Sequence, residues 1–211
     1  MPARPANLKF KPDLTHEQIM ALPLCRYEGP IHLIRSPEQL VEALPTLNRE
    51  RVLGFDTETR AAFRKGESYP PALLQFATTD AVWLVQLRGL PSLGGLADLL
   101  GSTQHLKVGV GLDYDLRKLR EYYVFKPAGI VDLANLSDTA GFRANGLRGL
   151  AAQVLGLRLA KKAKCTNWAR SELTDQQLRY AATDAWVSRE IFLALEKLPA
   201  ATPMPGTQLT P

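Results

Sequence analysis

Apolar positions in this chain fall into two kinds, short continuous runs and stripes at helical spacing. The runs Ile31 to Ile34, Arg51 to Asp56, Ala72 to Ala77, Ala81 to Gln86, His105 to Gly109 and Gly129 to Val131 read as strands. Thr78-Thr79-Asp80, between the third and fourth of these, is a polar link of hairpin length, so those two runs are expected to pair antiparallel. Helical spacing appears in Leu40, Val41, Leu44 and Leu47, behind a capping Ser36 and a first-turn Pro37. It recurs in Leu93, Leu96, Leu99 and Leu100, and again over Leu112 to Tyr123. From Asp132 to Lys197 the pattern reads as helices interrupted by a basic loop. Strands alternating with helices after an initial hairpin predict an α/β fold, with a mixed central sheet of about five strands and helices on both faces.

The two ends read differently. Residues 1–30 are proline-rich, with one short helix expected where Thr15 caps and Gln18 reaches back, and they are taken as an arm laid over a domain spanning 31–198. Residues 199–211 hold few large apolar side chains and are taken as a frayed tail.

Composition narrows the setting. With 211 residues and 45% apolar content, the chain suits one domain with a substantial core. A net charge of +5 suits a polyanionic partner without requiring one. Cys25 and Cys165 lie far apart, which argues against a disulfide framework or a zinc knuckle. No run approaches the roughly 18 apolar residues of a membrane helix, and no signal peptide is evident. A cytoplasmic protein without membrane association is expected.

Chemistry concentrates at the end of the Arg51 to Asp56 strand, where an apolar run finishes in two carboxylates one residue apart. In extended backbone Asp56 and Glu58 point to the same side, and like charges held close ask for a cation between them. A capped turn with a solvated glutamate is the plainer alternative. Other carboxylates could reach the same point. Gly109-Val110-Gly111 leaves a strand end, where ligands of open α/β sheets bind, and leads to Asp113 and Asp115. Asp113 is expected as the helix cap and Asp115 at the site. In the helix opened by the capping box of Thr174 and Gln177, Tyr180 and Asp184 share one face, and Ala181, Ala182 and Ala185 allow a close approach to the sheet. A core tyrosine with an exposed aspartate is the alternative there. Asp132 is expected to cap a helix.

These segments together carry a resemblance. Phe55-Asp56-Thr57-Glu58, Gly109-Val110-Gly111-Leu112 leading to Asp115-Leu116-Arg117-Lys118-Leu119, and Tyr180-Ala181-Ala182-Thr183-Asp184-Ala185 resemble the three motifs of the DEDDy 3′-5′ exonucleases. Ala72-Leu73-Leu74-Gln75-Phe76, Asn167-Trp168 and Leu173-Thr174 are similar to the ribonuclease D and Werner-type exonuclease domains, and the likeness runs from about Ile31 to Leu195. It implies a ribonuclease H-like fold, two divalent cations, and stepwise release of nucleoside 5′-monophosphates from a 3′ end. By motif match Asp56, Glu58, Asp115 and Asp184 would be the acidic metal ligands, with Tyr180 positioning the attacking water. An all-carboxylate set suits Mg²⁺ or Mn²⁺.

Several residues are further candidates for holding the nucleic acid, a DNA or RNA 3′ end. Thr57 and Thr59 flank the first acids, and Arg60, Arg64 and Lys65 follow them in a basic loop. Lys161, Lys162 and Trp168 precede the third motif, in a stretch that could equally be a solvated face. Gln75 would either contact the terminal nucleotide or satisfy backbone groups. The helical nucleic-acid-binding repeats of ribonuclease D have no similar segment here, so substrate choice is expected from the domain itself or from a homo-oligomer. Two other functions stay in view. One is a catalytically silent nuclease-like module. The other, a dinucleotide-dependent oxidoreductase, lacks the third glycine of its fingerprint, which falls at Tyr114.

Overall fold

The structure, a computed structural model, describes residues 14–62, 64–160 and 167–197. Its elements are α1 (His16–Ala21), β1 (Leu24–Cys25), β2 (Ile31–Ile34), α2 (Pro37–Leu47), β3 (Val52–Thr59), β4 (Pro71–Ala77) and β5 (Val82–Gln86). There follow α3 (Gly95–Gly101), β6 (Leu106–Gly109), α4 (Leu112–Leu119), β7 (Ile130–Asp132), α5 (Leu133–Thr139), α6 (Leu147–Leu150), β8 (Arg158–Leu159) and α7 (Asp175–Leu195). Six strands form the central sheet in the order β2-β5-β4-β3-β6-β7. The sheet is mixed, as expected, with β4 antiparallel to both β3 and β5 and the remaining pairs parallel. It has six strands rather than about five because Ile31–Ile34 completes one edge against β5.

Helices cover both faces. On one side Leu53 and Phe55 of β3, with Leu74 and Phe76 of β4, pack against leucines of α2, α3 and α4. On the other, Val52, Val108, Leu73 and Leu84 pack under α5, α6 and α7. The α2 stripe differs from the sequence reading in one position: Val41 is 66% exposed and Ala43 is buried in its place. Leu40, Ala43 and Leu47 lie three and four residues apart, on one side of the helix, and Val41 lies off that line. The helix after β6 stops at Leu119 rather than Tyr123, in a turn where Tyr122 and Tyr123 bond back to the Leu119 carbonyl. Lys107 of β6 is fully buried, and its ammonium donates to the carbonyls of Leu99, Ser102 and His105, closing the end of α3.

The segment before β2 is tied to the domain by a pairing absent from the sequence reading. β1 runs parallel to β8, with Leu24 opposite Arg158 and Cys25 opposite Leu159. Arg158, one of the basic residues before the third motif, is thereby held in a strand with its Nε donating to the Leu22 carbonyl. Tyr27 follows, buried, its backbone N–H donating to Thr183 Oγ1 at 3.0 Å and its ring 5.7 Å from that of Trp186. Among the described residues no helix is long and apolar enough to cross a membrane.

Candidate active site

β3 does not end at Asp56 but continues through Glu58 to Thr59, paired with β4 from Gly54 onward. Threonines flanking the acids favour extended backbone, and this keeps Asp56 and Glu58 in phase. Asp56 lies opposite Gln75 and Glu58 opposite Leu73, and Leu73 packs with Ala181, Ala182 and Ala185 of α7. Both carboxylates therefore project toward α7. A register shift between Glu58 and Thr59 then breaks the ladder, a bulge at the point where the chain leaves the sheet.

The third motif is brought over this strand end by α7. That helix starts at the capping box of Thr174 and Gln177 and crosses the sheet on its small residues. Tyr180 and Asp184, one turn apart, are joined by a side-chain hydrogen bond in which the phenol donates to the carboxylate. Asp184 is buried and Tyr180 partly so. Asp115 enters from the first turn of α4 and is partly buried. Asp113 is not the cap of that helix. Gly111 holds the cap position at φ +68°, a left-handed conformation suited to glycine, and Asp113 is exposed. Asp132 caps α5 as expected, accepting from Ala134 N at 2.8 Å, and its other oxygen accepts from Gly111 N at 3.1 Å.

The five side chains share one electrostatic field. Burial, followed by the charges of Asp184, Glu58 and Asp115, pushes the Asp56 carboxyl well above the ordinary aspartate range. Burial likewise raises the Tyr180 phenol, with further contributions from the charge and hydrogen bond of Asp184 and from Glu58 and Asp56. Such a set is costly without a positive partner. In chemistry it fits hard divalent cations, since every donor is a carboxylate oxygen and no histidine or thiol takes part. As the side chains stand, no three acidic, imidazole or thiol groups among the described residues are gathered tightly enough to hold an ion. Mutual repulsion opposes closer approach of the carboxylates, and drawing them together is work a cation would do.

The other sequence candidates divide. Arg60, Arg64 and Lys65 are exposed on the loop leaving β3, where Arg60 stacks over the Tyr69 ring at 4.6 Å. Thr59 is partly buried at the bulge. Three candidates are corrected as direct contacts, because their side chains present almost no surface: Thr57 at 8%, Gln75 at 0% and Trp168 at 1% exposure. Thr57 points to the face of β3 opposite the acids, beside Leu74. Trp168 packs in the core against Leu73, Leu84 and the Tyr180 ring, 6.3 Å away, and so supports Tyr180 from behind. Gln75 does not satisfy backbone groups either, since neither atom of its amide has a hydrogen-bond partner among the described residues. Lys161 and Lys162 lie outside the described residues.

One part of the site is absent from the sequence reading. Tyr180 and Asp184 form one side of a pocket of about 350 Å³, and the segment from Ala144 to Gly149 forms the other. That segment carries no acid, so no metal-ligating pattern marks it in the sequence.

A mixed α/β sheet with four carboxylates and a tyrosine around the end of its central strand defines the class of ribonuclease H-like nucleases. The chain belongs to the 3′-5′ exonuclease family, whose model matches residues 31–199. It is 37% identical over 169 residues to exonuclease 3′-5′ domain-containing protein 2 of Homo sapiens, covering 74% of this chain and 27% of that protein. A 3′-5′ exonuclease of Arabidopsis thaliana is 31% identical over 174 residues, covering 77% of this chain and 60% of that one. Among solved structures, the EXO domain of Aedes aegypti Nibbler superposes with a TM-score of 0.72 at 25% identity, over 84% of this chain and 92% of that one. Ribonuclease D of Escherichia coli shares the fold at 20% identity, with a TM-score of 0.66 over 79% of this chain and 45% of that one. The chain spans between a quarter and a half of the length of the first curated relatives it matches.

Proposed function

We propose that the chain hydrolyses phosphodiester bonds one at a time from the 3′ end of single-stranded nucleic acid, releasing nucleoside 5′-monophosphates by a two-metal mechanism. The observation that carries this reading is the convergence on Asp56 of three further carboxylate charges, Asp184, Glu58 and Asp115. Asp56, Glu58, Asp115 and Asp184 would hold Mg²⁺ or Mn²⁺. Bound there, the cations supply activation of water near neutral pH and neutralise charge building on the phosphoryl oxygens.

The chain's own residues have distinct tasks. Asp56 projects from the strand end between the other acids and is the candidate for a ligand shared by both ions. Tyr180, its phenol raised by burial and by Asp184, is a poor proton acceptor near neutral pH. Its task is to orient the attacking water by hydrogen bonding while the 3′ oxygen of the penultimate nucleotide leaves. Trp168 and the alanines of α7 keep that hydroxyl over the strand end.

A 5′-labelled single strand incubated with Mn²⁺ should shorten in single-nucleotide steps, and a chelator or Asp184→Asn should abolish the ladder. Binding of the strand by the wild type without shortening would replace this reading with a silent nucleic-acid-binding module. Matched DNA and RNA strands run side by side identify the preferred sugar.

A further inference from the structure

The pocket wall facing Tyr180 and Asp184 is a fixed piece of structure. Phe142, just before it, is buried, and Ala144 N donates to Gln153 Oε1 at 3.2 Å. Gly149 lets the segment fold back on itself, since a Cβ there would lie 2.6 Å from that of Ala144. On this wall stands Arg148, exposed, lining the same pocket as the Asp184 carboxylate. Despite that shared pocket, the Arg148 guanidinium enters no ion pair or hydrogen bond among the described residues. An arginine held on a rigid wall beside a cation-seeking site, without an acid of its own, has an anion as its natural partner. The flat guanidinium fork matches the non-bridging oxygens of a phosphate.

Resting on the exonuclease reading above, we infer that Arg148 is a positioning residue for the substrate strand. Its guanidinium takes the phosphate one linkage to the 5′ side of the scissile bond. The scissile phosphate is the one that must face Asp56 and Asp184, where cations rather than a side chain offset its charge. Arg148 stands beyond ion-pair distance of those carboxylates, so it meets the neighbouring phosphate as the strand passes along the opposite wall. Asn145 and Gly146 beside it leave that passage open, a Cβ on Gly146 meeting nothing within 4 Å.

The test compares wild type, Arg148→Gln and Arg148→Lys on single strands carrying one neutral methylphosphonate at the second or the third linkage from the 3′ end. Turnover is measured with Mn²⁺ and equilibrium binding in chelator. On the all-phosphate strand Arg148→Gln should raise KM about tenfold and leave kcat within about twofold, with partial recovery in Arg148→Lys. The slope of log affinity against log salt should fall by about 0.7, one phosphate contact on a single strand. Neutralising the second linkage should erase the difference between wild type and Arg148→Gln, and neutralising the third should preserve it. An unchanged KM and salt slope in Arg148→Gln, or a loss that follows the third linkage, overturns the inference. A wild type that binds but does not cut would sink the exonuclease reading alone, and the salt slopes and methylphosphonate comparison in chelator would still decide Arg148. A wild type that binds no strand overturns both.

Discussion

Gly54 of β3 and Ala185 of α7 meet backbone to backbone: a Cβ on Gly54 would lie 2.0 Å from the Ala185 carbonyl oxygen and 2.9 Å from the Arg189 Cβ. Gly54 stands two residues before Asp56, and Ala185 one residue after Asp184. The contact that closes the helix onto the sheet therefore also fixes the separation of the two aspartates. Because Arg189 lies over Val52 and Tyr180 feels the charge of Glu58, α7 runs opposite to β3, with its N-terminal half over the strand end that carries the acids.

Gly54→Ala should consequently damage folding and site together. The added methyl group has the Ala185 backbone and the Arg189 Cβ to push against, neither of which can swing aside, so α7 must lift, at a cost of at least about 1 to 3 kcal/mol. A chemical-denaturation midpoint well below that of wild type is expected, with reduced nuclease turnover in the fraction that folds. Gly146→Ala, whose Cβ meets nothing, should move the midpoint by no more than about 0.5 kcal/mol. Equal losses in the two variants would show that contact with Ala185 is not what matters at Gly54.

Asp56 gives a pH-dependent prediction whose sign follows from its raised carboxyl. Protonation of Asp56 is easier in the folded chain than at the ordinary aspartate value of 3.8, because of burial and three neighbouring acids. The stability this group contributes is thus fully present below 3.8 and is lost as pH rises through the folded value. In chelator at neutral pH, Asp56→Asn should melt above wild type, and a gain of about 1 kcal/mol would appear as roughly 2 to 4 °C for a chain of this size. The gain should shrink as pH falls toward 4, where wild-type Asp56 becomes neutral too. Divalent cation should stabilise the wild type and do much less for the variant. A variant less stable than wild type in chelator at neutral pH would contradict the crowding of charge at Asp56.

Much of this arrangement was legible from residue pattern because it depends on local rules. Alternation in an extended strand puts Asp56 and Glu58 on one side, and the capping boxes at Thr15 and Thr174 mark helix starts that the structure reproduces. What escaped depends on tertiary contact. β1 and β8 have two residues each, too few for a periodic signal, and acquire strand geometry only from each other. The cap at Gly111 comes from left-handed backbone, whereas side-chain preference pointed to Asp113. Trp168 follows a basic stretch and looks available for stacking on a base, yet the small face of α7 and Leu73 enclose its ring. The wall from Ala144 to Gly149 has no acid to draw attention, and its relevance appears only when the fold sets it across from Tyr180.

At the end of α7 remote from the acids, Arg189 ties the helix to the sheet. Its guanidinium donates to the Val52 carbonyl at 3.1 Å, to Glu50 at 3.3 Å and to Thr79 Oγ1 at 2.8 Å, linking the helix to the start of β3 and to the β4–β5 turn. Only 12% of this side chain is exposed, so removing it takes a buried donor from the Val52 carbonyl and the positive charge from Glu50, which keeps only its bonds from Thr79 N and Oγ1. Arg189→Met should destabilise by about 2 kcal/mol, with turnover and KM near wild type at temperatures where both proteins are folded. Glu50→Gln in the Arg189→Met background should cost less than in wild type, since the pair is already broken. Additive losses would show that the two residues act separately.

Tyr180 allows chemistry to be separated from architecture. Its hydroxyl donates to Asp184 and its ring rests on Trp168, so phenylalanine keeps the packing and deletes one oxygen. If the hydroxyl orients the attacking water, Tyr180→Phe should lower kcat by about 10²-fold with KM little changed. The increase in melting temperature produced by Mn²⁺ should survive, because the four carboxylates are untouched. Since the phenol is raised above its ordinary range, the slower variant should also keep the wild-type pH profile through the neutral range. Wild-type turnover in Tyr180→Phe would remove the hydroxyl from the reaction. Loss of the Mn²⁺ effect together with turnover would assign it instead to holding Asp184 in place for the cation.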